Sequence, residues 1–334
     1  SYVDVAAPGV SIFTTSFGSN YTSTQGTSFS SPITAGAAAL VKAQFPSYTP
    51  QQIAEQIRVS ANATELYNNN PAFIGKLGFG LLDVAAALTV VSPSIRASNP
   101  KLLNASGAPA QQGEKGFLTM TLRNILAPTS SALEVSVTEN SSFISITKGT
   151  IRPGAIPTGG SINNNLAPFE IQIANFVPDN FEVPLMVTFK DGTYVDQQEV
   201  VFLLNPTFID VDENLVTTTV SNTGRIGYED TQNSTKGTGF VFADNSMLYE
   251  MGIIMGTGTG AQLYDNVRAT SNTFDQDFVS LDPRISEINP GQRSSAEISG
   301  ALSNGSTPAS QSFQLKYRSL AWKEAPYDKF VIME

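Results

Sequence analysis

The sequence predicts a multidomain chain in which a partial α/β segment is followed by all-β domains. Two observations carry that reading. Apolar residues keep a helical spacing only to about residue 92, and beyond it their period falls from 3.6 to 2. At 334 residues the chain is also too long for one compact core. The expected domains are 1–92, 93–205 and 206–334.

Three helices are expected before residue 92. The first runs from about Ser31 to Gln44 with Pro32 in its first turn, where a missing N–H costs nothing. Its sequence is apolar on nearly all sides, so it should be buried. The second starts at Thr49-Pro50-Gln51-Gln52, with Thr49 as cap, Pro50 at the first helical position and Gln52 completing a capping box. Ile53, Ile57 and Ala61 mark its buried face. A third, short helix runs from Asp83 to Leu88 with Asp83 as its cap, preceded by Gly75, Gly78 and Gly80 in a tight loop-and-strand passage.

From about Pro93 the alternation is that of strands. Phe117, Thr119 and Thr121 alternate with Leu118, Met120 and Leu122; Phe169, Ile171 and Ile173 repeat the pattern, as do Val135 and Val137. Leu185–Phe189 and Val195–Leu203 flank Asp191-Gly192, a hairpin turn signal. Strands so spaced, between Gly, Pro and Asn clusters, describe an immunoglobulin-like or fibronectin-like sandwich over 93–205. Asn205-Pro206 breaks the pattern. Residues 206–334 are again strand-like, with turns at Ser221-Asn222-Thr223-Gly224 and around 256–260.

Composition narrows the function. Lys plus Arg number 19 against 29 Asp plus Glu, a net charge of −10, which repels phosphate backbones and anionic membrane surfaces and makes nucleic acid an unlikely partner. The chain has no Cys and no His, so it holds no disulfide, no thiolate or imidazole metal site, and no Ser-His-Asp triad of its own. No run reaches the roughly 18 to 20 apolar residues of a membrane-spanning helix. Charged residues are only 14%, against roughly 25% in an average globular chain; Ser, Thr, Asn, Gly and Pro take their place, as in secreted β-rich proteins. The chain opens at Ser-Tyr-Val-Asp and stops at Phe330-Val331-Ile332-Met333-Glu334 inside what reads as a strand, so it is expected to be a piece of a longer precursor.

The motif that carries chemistry is Gly26-Thr27-Ser28-Phe29-Ser30-Ser31-Pro32, followed by Ile33-Thr34-Ala35-Gly36-Ala37-Ala38-Ala39-Leu40. A tight glycine turn delivers Ser28 to the start of a helix, whose N–H groups and dipole favour negative charge nearby. A serine hydroxyl placed there is a positioned nucleophile, and its own backbone N–H stands where a developing oxyanion forms.

The pattern Gly-Thr-Ser-x-Ser-x-Pro and then Ala-Gly-Ala-Ala-Ala-Leu resembles the active-site serine segment of the subtilisin-like serine proteases. Val3-Asp4-Val5-Ala6-Ala7-Pro8-Gly9-Val10 resembles the strand that precedes it in that family, and Gly78-Phe79-Gly80-Leu81-Leu82-Asp83-Val84 the passage before the closing helix. Residues 1–92 would then be the C-terminal portion of a subtilisin-like catalytic domain. The resemblance implies Ser28 as nucleophile, with Thr27, Ser28 and Phe29 at the oxyanion- and substrate-binding positions and Phe29 on the leaving-group side. Family order is Asp, His, Ser, so the other triad members and the oxyanion Asn would lie upstream of Ser1. Two departures stand out: Ile33 replaces a common His that is not catalytic, and Gln25 replaces a common Asn.

Other candidates are weaker. Asp210, Asp212 and Glu213 offer carboxylates to calcium, but lack the Gly and terminal Glu of an EF-hand loop; a turn with solvated carboxylates is expected. Asp4 lies on a strand that borders a weak cation site in some family members. No cofactor is expected and no metal site is identifiable, calcium remaining open. Trp322 and Tyr317 suggest a sugar platform, though aromatics packed into a strand core explain them more simply. Sequons stand at Asn20, Asn62, Asn104, Asn140, Asn233 and Asn304. Two functions are therefore carried. One is a secreted serine endopeptidase of which this chain holds only the Ser, acting on protein or peptide substrates and completed by the N-terminal part of its own catalytic domain. The alternative is a non-catalytic cell-surface or extracellular binding or scaffold module with a degenerate protease-like segment. Substrate specificity and oligomeric state are not encoded legibly.

Overall fold

The computed structural model of the chain describes residues 3–107, 109–229, 236–248, 251–256, 263–267, 277–281, 285–288, 291–305 and 312–334. Most of the glycine-rich turn expected at 256–260 and the sequon at Asn233 lie outside them. The chain folds into two compact units, Ser1–Phe176 with Val183–Phe202, and Val177–Glu182 with Leu203–Glu334.

The first unit begins with an antiparallel hairpin, β1 (Ile12–Ser16) and β2 (Asn20–Thr24), turned through Phe17-Gly18-Ser19. Four helices follow: α1 (Thr27–Gln44), α2 (Pro50–Val59), α3 (Ala63–Asn69) and α4 (Val84–Thr89). Helix α2 forms as its capping box dictates: the Gln52 N–H donates to Thr49 Oγ1 at 3.3 Å and the Thr49 N–H to Gln52 Oε1 at 3.0 Å. Asp83 caps α4 by accepting from the Ala86 N–H at 2.8 Å. Helix α3 escapes the periodicity argument because it is short. Its signal is local: Asn62 accepts from the Glu65 N–H at 3.0 Å, so this sequon asparagine is a helix cap.

Helix α1 departs from expectation twice. It starts at Thr27, ahead of the expected Ser31, which puts Pro32 inside the helix, where it lacks the N–H that would otherwise meet the Ser28 carbonyl. It is also exposed along one side. Ala37 and Val41 are buried, but Ala35, Gly36 and Ala39 are exposed and Leu40 is 51% exposed. The reason is geometric. A compact cluster of Val41, Ile57 and Ala87, with Val5, Ala38, Ile53 and Leu82 against it, covers only one face.

A short extended segment ties these helices together. The Phe79 N–H donates to the Asp4 carbonyl at 2.8 Å, Ala6 N–H to Gly80 O at 2.9 Å, and Leu82 N–H to Ala6 O at 2.7 Å, while Leu81 also exchanges backbone bonds with Asn62. Gly80 sits at φ 156°, and a Cβ there would stand 2.5 Å from the Ala63 nitrogen, so no other residue fits.

Two antiparallel sheets complete the unit. One has the order β3 (Ile95–Leu103), β4 (Lys115–Asn124), β9 (Phe169–Ile173), β6 (Ile144–Lys148), with β8 (Ser161–Asn163) also on β4. The other runs β11 (Tyr194–Leu204), β10 (Phe181–Asp191), β5 (Glu134–Glu139), β7 (Thr150–Ile151). The expected alternation is present: Leu118, Met120 and Leu122 on β4, and Val183, Leu185, Val187 and Phe189 on β10, are fully buried rows. Asp191-Gly192 makes the β10–β11 turn.

Helix α2 is joined to these sheets by buried charge. Arg58 donates to both carboxylate oxygens of Asp196 on β11, at 2.8 and 2.6 Å, to Glu55 Oε2 at 2.7 Å and to Ser94 Oγ at 3.0 Å. Its guanidinium lies 4.1 Å from the centre of the Phe79 ring. The Arg58 and Asp196 side chains are 3% and 4% exposed. Arg96 closes the far side of Glu55 at 2.9 Å, and the Tyr194 hydroxyl donates to Asp196 at 3.0 Å. Burial alone would raise the Glu55 pKa. Arg58, the Ser94 hydroxyl and Arg96 together outweigh it and hold the carboxyl below its ordinary range.

The second unit is again antiparallel. It contains a sheet β12 (Phe208–Val211), β13 (Val216–Ser221), β14 (Phe240–Phe242), β15 (Asn245–Ser246), and a two-stranded ribbon β16 (Ile254–Gly256), β17 (Leu263–Asp265). A third sheet runs β18 (Val279–Ser280), β20 (Ala296–Ser303), β21 (Gln314–Ala321), β22 (Val331–Met333), with β19 (Ser286–Ile288) on β20. Its core gathers Val211, Val220, Tyr264, Phe278, Ile298, Leu302 and Tyr317. The turn expected at 221–224 forms, with the Gly224 N–H donating to Ser221 O at 2.9 Å.

Two predictions follow from this packing. Gly80→Ala should destabilise the first unit by about 2 kcal/mol or more, read by chemical denaturation, because the new methyl meets backbone that cannot retreat. Glu55, whose folded pKa is lowered, stabilises above its unfolded value and loses that contribution as pH falls below about 4.5. Acid titration of the folding free energy should show this loss, and Glu55→Gln should flatten it.

Candidate active site

Gly26 is the hinge on which Ser28 turns. It occupies φ 146°, a conformation a side chain rarely adopts, and serves as the N-cap residue of α1 without any side-chain capping bond. No acidic residue stands in the first turn of α1, so the helix itself supplies no carboxylate against its leading N–H groups. The Gly26 N–H donates to the Gly9 carbonyl at 2.8 Å, and Ser30 Oγ to the Ala7 and Pro8 carbonyls at 3.1 Å each. The first turn of α1 is thus stitched to Ala7-Pro8-Gly9. Just before it, Asp4 and Ala6 carry the bonds to Phe79, Gly80 and Leu82. The serine motif and the passage at 78–84 therefore meet on the segment Val3–Val10.

Thr27 and Ser28 are exposed in the first turn, and Phe29 is half-buried beside them. The hydroxyl of Ser28 stands at the positive end of an 18-residue helix. This arrangement offers an accessible nucleophile and backbone donors for an anion forming on an attacked carbonyl. A serine hydroxyl still needs a base to take its proton, and the chain contains no imidazole to do so.

Beside the site stands the hairpin β1–β2, which the sequence reading missed. Its Phe13 and Tyr21 rings stack with centroids 5.4 Å apart, both exposed, and Phe17 at the tip is 99% exposed. The signal was present in Gly18-Ser19, which both take positive φ to make the turn.

The remaining candidates are dispersed. Asp4 is exposed and uses its carbonyl in the segment that joins Phe79. Asp210 lies on β12 and accepts from Thr219, Asp212 is exposed just after that strand, and Glu213 pairs with Lys323 at 2.5 Å. Among the described residues, no three acidic side chains converge into a group able to hold a metal ion. Tyr317 is a core residue whose hydroxyl donates to the Ser221 carbonyl at 2.6 Å. Trp322 is not in that core; it clusters with Tyr327 and Phe330 near the surface, its ring centroid 5.9 Å from that of Phe330.

Sequence comparison bears directly on this segment. The profile of the Subtilase family, Peptidase_S8, matches residues 1–80. The thermostable alkaline protease of Halalkalibacterium halodurans is 42% identical over 73 residues, 22% of this chain and 19% of that protein. Subtilisin DY of Bacillus licheniformis is 41% identical over 85 residues, 25% of this chain and 28% of that protein. The chain therefore spans less than a third of the length of these relatives. Among solved structures, a serine protease of Aeromonas sobria aligns over 56% of this chain and 43% of its own at 16% identity, with a TM-score of 0.20, too low to relate the folds. The glycine turn, the serine at the helix start and the segment that backs it all lie inside residues 1–80, the region that matches the Subtilase family model and is about 40% identical to the subtilisins.

Proposed function

We propose that the protein carrying this chain is a secreted serine endopeptidase that hydrolyses peptide bonds through an Asp-His-Ser triad, with this chain contributing only Ser28. The observation that carries the reading is the exposed Ser28 at the uncapped N-terminus of α1, inside a subtilase-family segment. Ser28 Oγ attacks the scissile carbonyl, and an upstream His takes its proton and returns it to the leaving amine, oriented by an upstream Asp. The Ser28 N–H helps hold the oxyanion, Thr27 flanks it, and Phe29 lines the leaving-group side. This chemistry requires no cofactor.

We read residues 1–92 as the C-terminal portion of the catalytic domain, 93–205 as an immunoglobulin- or fibronectin-like sandwich and 206–334 as a second β-rich domain. The partner of the first segment is the N-terminal part of the same catalytic domain. The open side of α1, with Leu40 exposed, and Val10 at 71% exposure nearby in the chain support this. An extracellular or cell-surface location fits the low charge content. No helix among the described residues is long and apolar enough to cross a membrane.

The test is labelling of the full-length protein with a fluorophosphonate probe, with the modified residue mapped by mass spectrometry. Labelling at Ser28 that disappears in Ser28→Ala, together with loss of peptide hydrolysis by at least about a thousandfold, is expected. The isolated 334-residue chain should hydrolyse nothing, for want of a base. A folded full-length protein that takes no label would give the lead to the scaffold reading.

A further inference from the structure

The buried cluster around Arg58 is built from parts of the chain that a modular protein would keep apart. Arg58 and Glu55 belong to α2 of the subtilase segment, Ser94 immediately precedes β3 and Arg96 lies at its start, and Tyr194 and Asp196 belong to β11. Arg58 and Asp196 are 138 positions apart, yet they form a two-pronged ion pair sealed from water. Further bonds run the same way. Gln52 Nε2 donates to the Ile125 carbonyl at 3.2 Å, and Gln56 Nε2 to the carbonyls of Ala87 and Val90 at 3.0 and 2.8 Å. Helix α2 is thus bonded through its polar face to the sheets and to α4. Through Ile53 and Ile57 it packs on Ala38 and Val41 of α1, the helix that begins at Ser28.

We propose that the β-sheets spanning 95–204 are a built-in brace of the helix that bears Ser28, with Arg58 and Asp196 as its positioning residues. The physical reason is the conditional character of a buried ion pair. Without Asp196, Arg58 keeps only Glu55 as a carboxylate partner, which Arg96 already shares, and without Arg58 the Asp196 carboxylate keeps only neutral partners, so the placement of α2 and that of β11 favour each other. The inward chain of contact is short: Asp196 to Arg58, the neighbouring Ile57 to Val41, and α1 back to its first turn. The aromatic face of Phe79, stacked on the same guanidinium, adds the segment that pairs with residues 4–6. A sheet pair attached by a flexible tether would not open and close together with α1 and α2; a brace must. This inference concerns mechanical coupling and does not depend on whether Ser28 reacts.

Native-state hydrogen exchange of the intact chain, read by mass spectrometry at rising denaturant, tests it. In the parent chain the buried amides of α1 near Ala37–Val41, those of α2, and those of β10 and β11 should open in one cooperative step. In Asp196→Ala the α1 and α2 amides should exchange faster by roughly a hundredfold, with β4 and β9 changed far less. The apolar pair Arg58→Met with Asp196→Leu should restore their protection to within roughly tenfold of the parent, which a purely local defect at β11 would not do. The proposal is overturned if α1 and α2 open in the parent at lower denaturant than β10 and β11. Loosening confined to β11 in Asp196→Ala would overturn it equally. The parent-chain experiment decides the matter even if Asp196→Ala does not fold.

Discussion

A guanidinium withdrawn from water is the constraint around which the first unit is arranged. Removing such a charge from solvent costs several kcal/mol in a relaxed protein, of order 5. Arg58 recovers it from a bidentate carboxylate, a second carboxylate, a hydroxyl and an aromatic face, each within bonding reach. These partners come from α2, the residue just before β3, β11 and the segment at Phe79. Removing Arg58 would leave Asp196 a buried carboxylate with only neutral hydrogen-bond partners. Surface contacts of equal number would set no such condition, because water would replace whatever was lost.

The serine site obeys a different economy. It needs exposure and unsatisfied donors, which elsewhere would be faults. Gly26 makes the turn that a side chain would forbid, the first turn carries no carboxylate of its own, and Pro32 removes one more intrahelical bond just beyond Ser28. What keeps this weak helix start in place is borrowed order: Ser30 and Gly26 bonded to Ala7-Pro8-Gly9, and Asp4 and Ala6 just before it held by the passage at 79–82. The first turn is exposed at Thr27 and Ser28 and hydrogen-bonded to Ala7-Pro8-Gly9 through Gly26 and Ser30.

Local chemistry was legible where a cap or a period stood out from the surrounding sequence; the short helix α3 and the β1–β2 hairpin, signalled only by Asn62 and by Gly18-Ser19, were not. Thr49, Pro50 and Gln52 specify the start of α2, Asp83 that of α4, and the alternation on β4 and β10 names the buried rows, because these depend on bonds and periods a few residues long. The true start of α1 at Thr27 was not legible, since proline is favoured in a first turn and costly further inside, and Pro32 therefore pointed to a later start. The exposure of Leu40 was not legible either. An apolar helix announces that it wants cover, and only packing shows which face receives it.

By itself, the sequence determined the serine motif, the change from helical to strand period near residue 92, and the absence of any histidine to complete a triad within the chain. Only the tertiary structure decided that Ala7-Pro8-Gly9 backs the helix bearing Ser28, and that Arg58 belongs to Asp196. Nothing about an arginine in an amphipathic helix, or an aspartate in an alternating strand, distinguishes a solvated charge from a buried one. Burial is a property of what the rest of the chain brings alongside, and for Arg58 and Asp196 the partner lies 138 residues away.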